Sequence, residues 1–233
     1  MRNFYVCVDL ASPVIPTKGW LTLDAILGAQ LFRETGDMEV AHENIPLAKT
    51  KGVWHGSAAF FDIGETGRAA FGRSMKLSDL LEGNWVPFGK TKYPYFVDQS
   101  RNQAANQWGA KLNTYPTLSS EHVYWFGKGD MEQVAKLFNG IREGWGIGKK
   151  VSHGYGRIQS VMIEECDIDR SFQLQDGSPA RPIEYKHWIS MTGKPDITTF
   201  IESWAMPYFC SERVLCAIPA NHIMSCSQAS DQV

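Results

Sequence analysis

The first ten residues alternate between apolar and polar positions. Every second residue of Phe4–Leu10 is apolar, and a period of two is typical of a β-strand. Pro13 and Pro16 follow, and we expect them to end the strand. The chain therefore begins in a sheet.

Two later stretches have the spacing of α-helices. Over Leu23–Leu31 the apolar residues recur at intervals of three and four, and Gly36 supplies a stop signal. In the second stretch Asp130 can cap a helix whose apolar stripe covers Val134–Ile141 and which ends at Gly144. This second helix has the clearest pattern in the chain.

The other segments predict shorter or irregular elements. Ile158–Ile163 is expected to form a strand, and strand-like pieces are expected around Trp188 and over Val214–Ile218. Gly83–Pro116 keeps neither period for long and predicts a β-hairpin excursion or an extended loop. The polar residues 225–233 are expected to be disordered.

Length, charge and cysteine content restrict the classes of function. The 233 residues can bury a core without a disulfide or metal staple. Apolar stretches are interrupted well before the roughly 18 residues of a membrane span, and the start of the chain lacks the pattern of a secretion signal. Five scattered cysteines favour reduced thiols. We therefore expect a cytoplasmic protein that does not enter a membrane.

The net charge of −2 hides an asymmetry along the chain. Residues 1–65 hold 5 basic and 8 acidic side chains, residues 66–160 hold 13 and 7, and residues 161–233 hold 5 and 10. A basic middle between acidic flanks suits a protein with one face for a polyanion. Chance clustering of charge is the alternative.

The most specific motif is Gly144–Arg157, GWGIGKKVSHGYGR. It holds five glycines, two lysines, one histidine, one tyrosine and one arginine in fourteen residues. Glycines at this density allow a backbone to approach a ligand closely and to point N–H groups at it. We predict contact with RNA or phosphate, and a merely tight connection is the alternative.

Nucleotide cofactors and metals are not predicted. The glycine-rich motif has Lys150 where a Walker loop needs Ser or Thr, and it lies between a helix and a strand, the reverse of a dinucleotide fingerprint. The cysteine and histidine residues whose spacing is most like that of a zinc site lack the short gap between two ligands that usually presents both thiolates to one metal. They are Cys210, Cys216, His222 and Cys226.

The Gly83–Pro116 segment interleaves cations with aromatic rings. This pattern suits single-stranded nucleic acid, because cations meet phosphates while rings stack on bases. The alternative is that the rings belong to the core. The cations are Lys90, Lys92, Arg101 and Lys111.

GWGIGKKVSHGYGRI resembles the glycine-rich loop of the RAMP superfamily of CRISPR-associated proteins, which lies between the last helix and last strand of a ferredoxin-like domain. Three further stretches, IPLAKTKGVWHGSAAFF, the basic aromatic excursion and WAMPYFCSERVLCAIP, resemble the family-five-like subunit of type IV CRISPR effectors.

The resemblance implies an α+β protein with three parts: a ferredoxin-like (RRM-like) RAMP domain over residues 1–163, a C-terminal extension over 164–224 and the tail over 225–233. The domain would include a thumb-like basic excursion at about 83–116. The resemblance also implies a non-catalytic subunit of a cytoplasmic ribonucleoprotein that acts in antiviral defence and plasmid interference.

In that assembly the chain would hold the 5′ handle of the crRNA and cap the filament of backbone CRISPR subunits. Its other partners would be the large CRISPR subunit and, through the assembled complex, target DNA. No cofactor is implied. The implied RNA-binding residues are Gly146, Gly148, Lys149, Lys150, His153, Gly154, Tyr155 and Arg157 of the loop, with Lys90, Lys92, Arg101 and Lys111 of the excursion.

Two alternatives stay open from the sequence. Some relatives in the superfamily cut precursor RNA without metal, and His153, Tyr155 and Lys149 are residue types that could transfer the protons. A metal-independent CRISPR repeat-RNA endonuclease is thus the first alternative. The second is a protein-only adaptor whose basic middle meets acidic partners.

Overall fold

The computed structural model describes residues 1–17, 19–73, 111–208 and 210–219. The chain divides into two compact units, Met1–Thr66 with Thr117–Val233, and Gly67–Pro116. In the second unit the ring of Phe71 packs edge-on against Tyr115, with their centroids 5.7 Å apart.

The elements follow one another in a mixed α/β order. They are β1 (Arg2–Leu10), α1 (Leu23–Thr35), α2 (Met38–Glu43), β2 (Lys49–Thr50), β3 (Val53–Trp54), β4 (Phe60–Arg73), β5 (Lys111–Gly129), α3 (Met131–Gly144), a 3-10 helix (Val151–His153), β6 (Ile158–Glu165), β7 (Ile183–Glu184), α4 (Tyr185–Thr192), β8 (Thr199–Glu202) and β9 (Val214–Ala217).

The main sheet has the strand order β4-β5-β1-β6, and β1 is antiparallel to both of its neighbours. With α1 between β1 and β4, and α3 between β5 and β6, the order of elements is β-α-β-β-α-β. This is the ferredoxin-like arrangement, in which the first and third strands lie at the centre of the sheet. The predicted α+β, ferredoxin-like fold is confirmed.

The core lies between the sheet and the two long helices. On one face of β1, Phe4, Val6 and Val8 pack against apolar residues of α1 and α3. The opposite face of β1 is also covered, because Tyr5 and Cys7 belong to a second cluster with residues of β4, β5 and the 174–180 segment. The central strand is therefore buried on both faces, although its sequence alternates.

Local signals set the ends of the helices as predicted. The Asp130 side chain accepts hydrogen bonds from the backbone N–H groups of Glu132 and Gln133 and so caps α3. Gly36, with φ 72°, ends α1 in the left-handed conformation that glycine adopts without strain. Among the helices in the described ranges, none is long and apolar enough to cross a membrane.

One predicted element is wrong. Trp188 lies in α4 and not in a strand. Its fully buried indole packs with Ile183 and Ala217, so tertiary contacts outweigh the strand preference of an aromatic residue. The predicted strand over Val214–Ile218 is confirmed as β9, the middle strand of the small sheet β7-β9-β8.

A buried arginine joins three distant parts of the first unit. The Arg181 guanidinium is fully buried and donates hydrogen bonds to the carbonyl oxygens of Trp54 (2.7 Å), Gly56 (2.8 Å) and Trp204 (3.1 Å). It also bonds to the Tyr208 hydroxyl and lies 3.4 Å from the Asp24 carboxylate at the start of α1.

The charges of this cluster compensate one another. Burial alone would lower the pKa of Arg181, but Asp24 and Tyr208 raise it, so the guanidinium stays charged. Burial raises the pKa of Tyr208, whose hydroxyl donates to Asp24 at 2.7 Å. The buried cation and carboxylate therefore neutralise each other.

A second polar cluster connects the β2–β3 hairpin to the C-terminal extension. The His55 ring lies between the Thr50 hydroxyl, 2.7 Å from Nε2, and the Asp169 carboxylate, 2.9 Å from Nδ1. Ser171 donates to the other oxygen of Asp169 at 2.6 Å. Burial raises the pKa of Asp169, but the hydrogen bonds from His55 and Ser171 outweigh it and lower the value to about 2.

We predict that Arg181→Met destabilises the protein by about 3–5 kcal/mol, because it leaves the Asp24 carboxylate buried without its cation. The double variant Asp24→Asn/Arg181→Met should lose less stability than Arg181→Met alone. Urea unfolding measures both. Arg213→Met, at an exposed side chain (73%), is the control and should change stability by less than about 0.5 kcal/mol. Additive losses in the double variant would contradict a coupled cluster.

We predict that the stabilising effect of the Asp169 carboxylate depends on pH. Because the folded pKa of about 2 lies below the ordinary value of 3.8, the stabilisation is complete above about pH 5 and is lost as the pH falls through the folded pKa. Asp169→Asn should therefore lower the free energy of unfolding at pH 6, and the difference from wild type should narrow toward pH 2. The exposed Glu212→Gln is the control. A constant difference would refute the prediction.

Candidate nucleic-acid interface

The glycine-rich segment forms an ordered loop between α3 and β6. Five of its residues have positive φ: Gly146, Gly148, Lys150, Gly154 and Gly156. Glycine adopts this region freely, whereas an L side chain pays about 1–2 kcal/mol. The loop path thus explains four of the five glycines in the motif.

Three of these glycines are needed for contact with the chain itself. A Cβ at Gly156 would lie 1.9 Å from the Ile147 carbonyl oxygen, and one at Gly146 would lie 2.3 Å from the Gly156 carbonyl oxygen. At Gly148 it would lie 2.6 Å from the carbonyl oxygen of Ile15. The sequence predicted that these glycines let the backbone approach a ligand closely. In the structure they let the loop backbone approach other backbone atoms of the same chain.

Backbone hydrogen bonds hold the loop against the segment after β1. The Lys149 N–H donates to Ile15 O at 2.8 Å, and the Gly156 N–H donates to Pro13 O at 2.9 Å. The Arg157 N–H donates to the Ser12 hydroxyl at 2.9 Å. These donors are used within the chain, so ligand contact at these positions depends on side chains.

The structure brings the predicted loop residues into one connected segment with different exposure. Gly146 and Gly156 are buried, and Gly148 is half-buried. His153, Gly154 and Arg157 are exposed, and a Cβ at Gly154 would meet nothing within 4 Å. The side chains of Lys149, Lys150 and Tyr155 are half-buried.

The predicted RNA-binding side chains of the excursion lie outside the part of the chain that the structure describes. Lys90, Lys92 and Arg101 lie outside the described residues. Lys111 begins β5, and its side chain also lies outside the described part. Their role in RNA binding stays a prediction.

A cleft of about 530 Å³ opens beside the loop, where the C-terminal ends of α1 and α3 meet. Arg33 of α1, Arg142 of α3 and Arg157 of the loop all line it, together with Trp145. The Arg33 guanidinium lies 4.1 Å from the centroid of the Trp145 ring. The Trp145 Nε1–H donates to Gln30 Oε1 at 2.8 Å, which holds the indole in place.

The arginines outnumber the acidic side chains of the cleft. Glu143 also lines it, 3.8 Å from the Arg142 guanidinium. Arg33 and Arg142 stand in the last turns of their helices, where a cation also offsets the helix dipole. Arg157 belongs to no helix, so the dipole does not account for the third cation. Three cations beside an indole can hold phosphate oxygens and stack on a base.

Sequence reasoning missed Arg33, Arg142 and Trp145 as candidate binding residues. Each arginine looks like an ordinary last-turn cation in its own helix. The convergence depends on the packing of α1 against α3, which joins residues more than a hundred positions apart. Trp145, inside the glycine-rich motif, was the one available signal.

Comparisons with known proteins give little further information. No family model and no curated protein matches the chain. Among solved structures, one match is the cryo-EM structure of the type III-B Cmr-beta bound to cognate target RNA, at 10% identity and a TM-score of 0.38. The match covers 70% of this chain and 61% of that chain. The chain's own topology therefore defines its class: a ferredoxin-like domain with a basic glycine-rich loop.

We predict that two glycines of the loop respond differently to alanine. Gly154→Ala should cost about 1–2 kcal/mol, because a Cβ there has room and only the positive φ is strained. Gly156→Ala should cost about 2–5 kcal/mol, since a clash with Ile147 O is added to the strain. Chemical unfolding of the two variants is the measurement. Equal losses would mean that the loop is not packed as described.

Proposed function

We propose that this chain is a guide-RNA-binding subunit of a CRISPR ribonucleoprotein, and that its glycine-rich loop and the adjoining arginine cleft contact the RNA. The observation that carries the proposal is the convergence of Arg33, Arg142 and Arg157 around one cleft beside the loop. The ferredoxin-like order of the strands supports it. The loop connects α3 to β6, the last helix and last strand of the ferredoxin-like domain, which is the position that the resemblance implies.

We further propose that the subunit holds the 5′ handle of the crRNA and caps the backbone filament in a type IV complex directed against plasmids and other mobile DNA. The large subunit and target DNA would meet the chain in the assembled complex. This finer assignment rests on the sequence resemblance. Guide pairing would supply the target specificity.

The proposed contact uses side chains rather than a backbone cradle. Lys149, Lys150 and Arg157 would neutralise phosphates, while the exposed His153 and the half-buried Tyr155 would contact splayed handle nucleotides. Gly148 would support this surface by letting the loop pack against Ile15, and Gly146 by letting the loop pack against Gly156. Gly154 leaves open space where a nucleotide could approach the backbone.

We propose holding of RNA without cleavage. The non-catalytic role rests on the sequence resemblance; the Ser152 hydroxyl lies 3.2 Å from His153 Nδ1. The test is to purify the chain with a co-expressed CRISPR array and backbone subunit, extract the RNA and sequence its 5′ ends. The isolated chain is then incubated with repeat RNA in the absence of metal.

Each outcome of this test supports or overturns one assignment. One uniform 5′ handle in the complex, with repeat RNA left intact by the isolated chain, supports the holding role. Handle-generating cleavage by the isolated chain overturns it in favour of the endonuclease. A complex that assembles without RNA overturns RNA binding in favour of the protein adaptor.

We predict that Lys149→Ala/Lys150→Ala weakens RNA binding and flattens its salt dependence. Each lysine that neutralises a phosphate of single-stranded RNA should contribute roughly 0.7 to the slope of log K against log salt concentration. Filter binding of handle RNA at several salt concentrations measures the slope.

The matched control removes the same charge elsewhere. Lys136→Ala/Lys186→Ala alters two exposed lysines outside the loop and the cleft, and it should leave affinity and slope close to wild type. Equal slopes for the two double variants would refute the assignment of the loop.

A further inference from the structure

Three potential metal ligands share one face of the main sheet. Cys7 and Asp9 are two residues apart on β1, so their side chains point to the same side. His122 of β5 pairs directly with Asp9. The Cys7 sulfur, an Asp9 carboxylate oxygen and a His122 ring nitrogen all lie within 4.8 Å of one another.

The cluster combines a shielded thiol with two ligands that solvent can reach. Cys7 is 6% exposed and takes part in no disulfide of the described chain. The side chains of Asp9 and His122 are 42% and 29% exposed. An ion could therefore enter from the side of Asp9 and His122 and reach the sulfur.

A neighbouring strand orients the carboxylate. Ser160 of β6 pairs with Asp9, and its hydroxyl donates a hydrogen bond to Asp9 Oδ2. The other oxygen, Oδ1, lies 2.8 Å from His122 Nδ1. Because the Ser160 hydroxyl holds Oδ2, the other carboxylate oxygen stays directed toward Cys7 and His122 as a possible ligand.

The donor set selects the metal. Thiolate, imidazole and carboxylate are the ligands of Zn²⁺, whereas Mg²⁺ and Ca²⁺ require oxygen donors. We propose that Cys7, Asp9 and His122 bind one Zn²⁺ ion, with water at the fourth position. When the ion binds, the Cys7 thiol releases its proton to solvent. The proton of the His122 ring moves to Nε2, so Nδ1 can bind the ion. The ion thereby replaces the hydrogen bond between His122 Nδ1 and Asp9 Oδ1. The oxidation state of the metal does not change.

This site does not depend on the proposed RNA-binding function. Its ligands lie on the sheet, and none of them lines the arginine cleft. RNA binding and metal binding can therefore fail separately.

The experiment uses the purified full chain after treatment with a chelator. Titration with Co²⁺ should give a thiolate-to-cobalt charge-transfer band in the near ultraviolet and the intense visible bands of tetrahedral cobalt, saturating at one ion per chain. Excess Zn²⁺ should abolish the visible bands. Absence of the charge-transfer band in the wild-type protein would overturn the site.

Single substitutions identify the ligands. Cys7→Ser should lose the charge-transfer band, and Ser160→Ala should keep it with about 10- to 100-fold weaker binding. Cys166→Ser, at another buried cysteine, is the matched control and should behave as wild type. Because Cys7 lies in the core, His122→Gln provides a second test at a partly exposed position: it should keep the sulfur band but bind more weakly than Ser160→Ala. A band that survives Cys7→Ser would also overturn the site.

Discussion

The first unit depends on the buried ion pair between Arg181 and Asp24. The Arg181 guanidinium contacts the end of the β2–β3 hairpin at Trp54 and Gly56. It also contacts Asp24 in the first turn of α1, and Trp204 and Tyr208 in the C-terminal extension. No apolar side chain could satisfy three separate carbonyl oxygens and a carboxylate at once. The cluster therefore fixes where the C-terminal extension lies, and this extension in turn covers the second face of β1.

The parts of the fold that follow from local signals were predictable. The alternation in β1, the Asp130 cap of α3 and the glycine at the end of α1 each act over a few residues, and each appears where the sequence indicates. The buried contacts of Arg181 and the contact between His55 and Asp169 were not predictable, because they join residues 23 to 157 positions apart. The helix at Trp188 was mistaken for a strand for the same reason: its packing partners lie outside its own segment.

The candidate site divides in the same way. The glycine-rich loop could be found from its composition, and its connection between helix and strand is as expected. The role of its glycines differs from the prediction, because Gly146, Gly148 and Gly156 allow the loop to pack closely against backbone atoms of the chain itself. The arginine cleft could not be found, since neither Arg33 nor Arg142 is unusual within its own helix and only tertiary packing brings them beside Arg157.

The attachment of the loop to residues 12–15 has a thermodynamic consequence for any ligand. A flexible glycine-rich segment would lose conformational entropy on binding, at a cost of about 1–2 kcal/mol for each backbone residue ordered. Here the hydrogen bonds to Pro13 and Ile15 order the loop when the protein folds, so this entropy is not lost again on binding. The surface is preorganised, so binding there retains more of its contact energy as affinity.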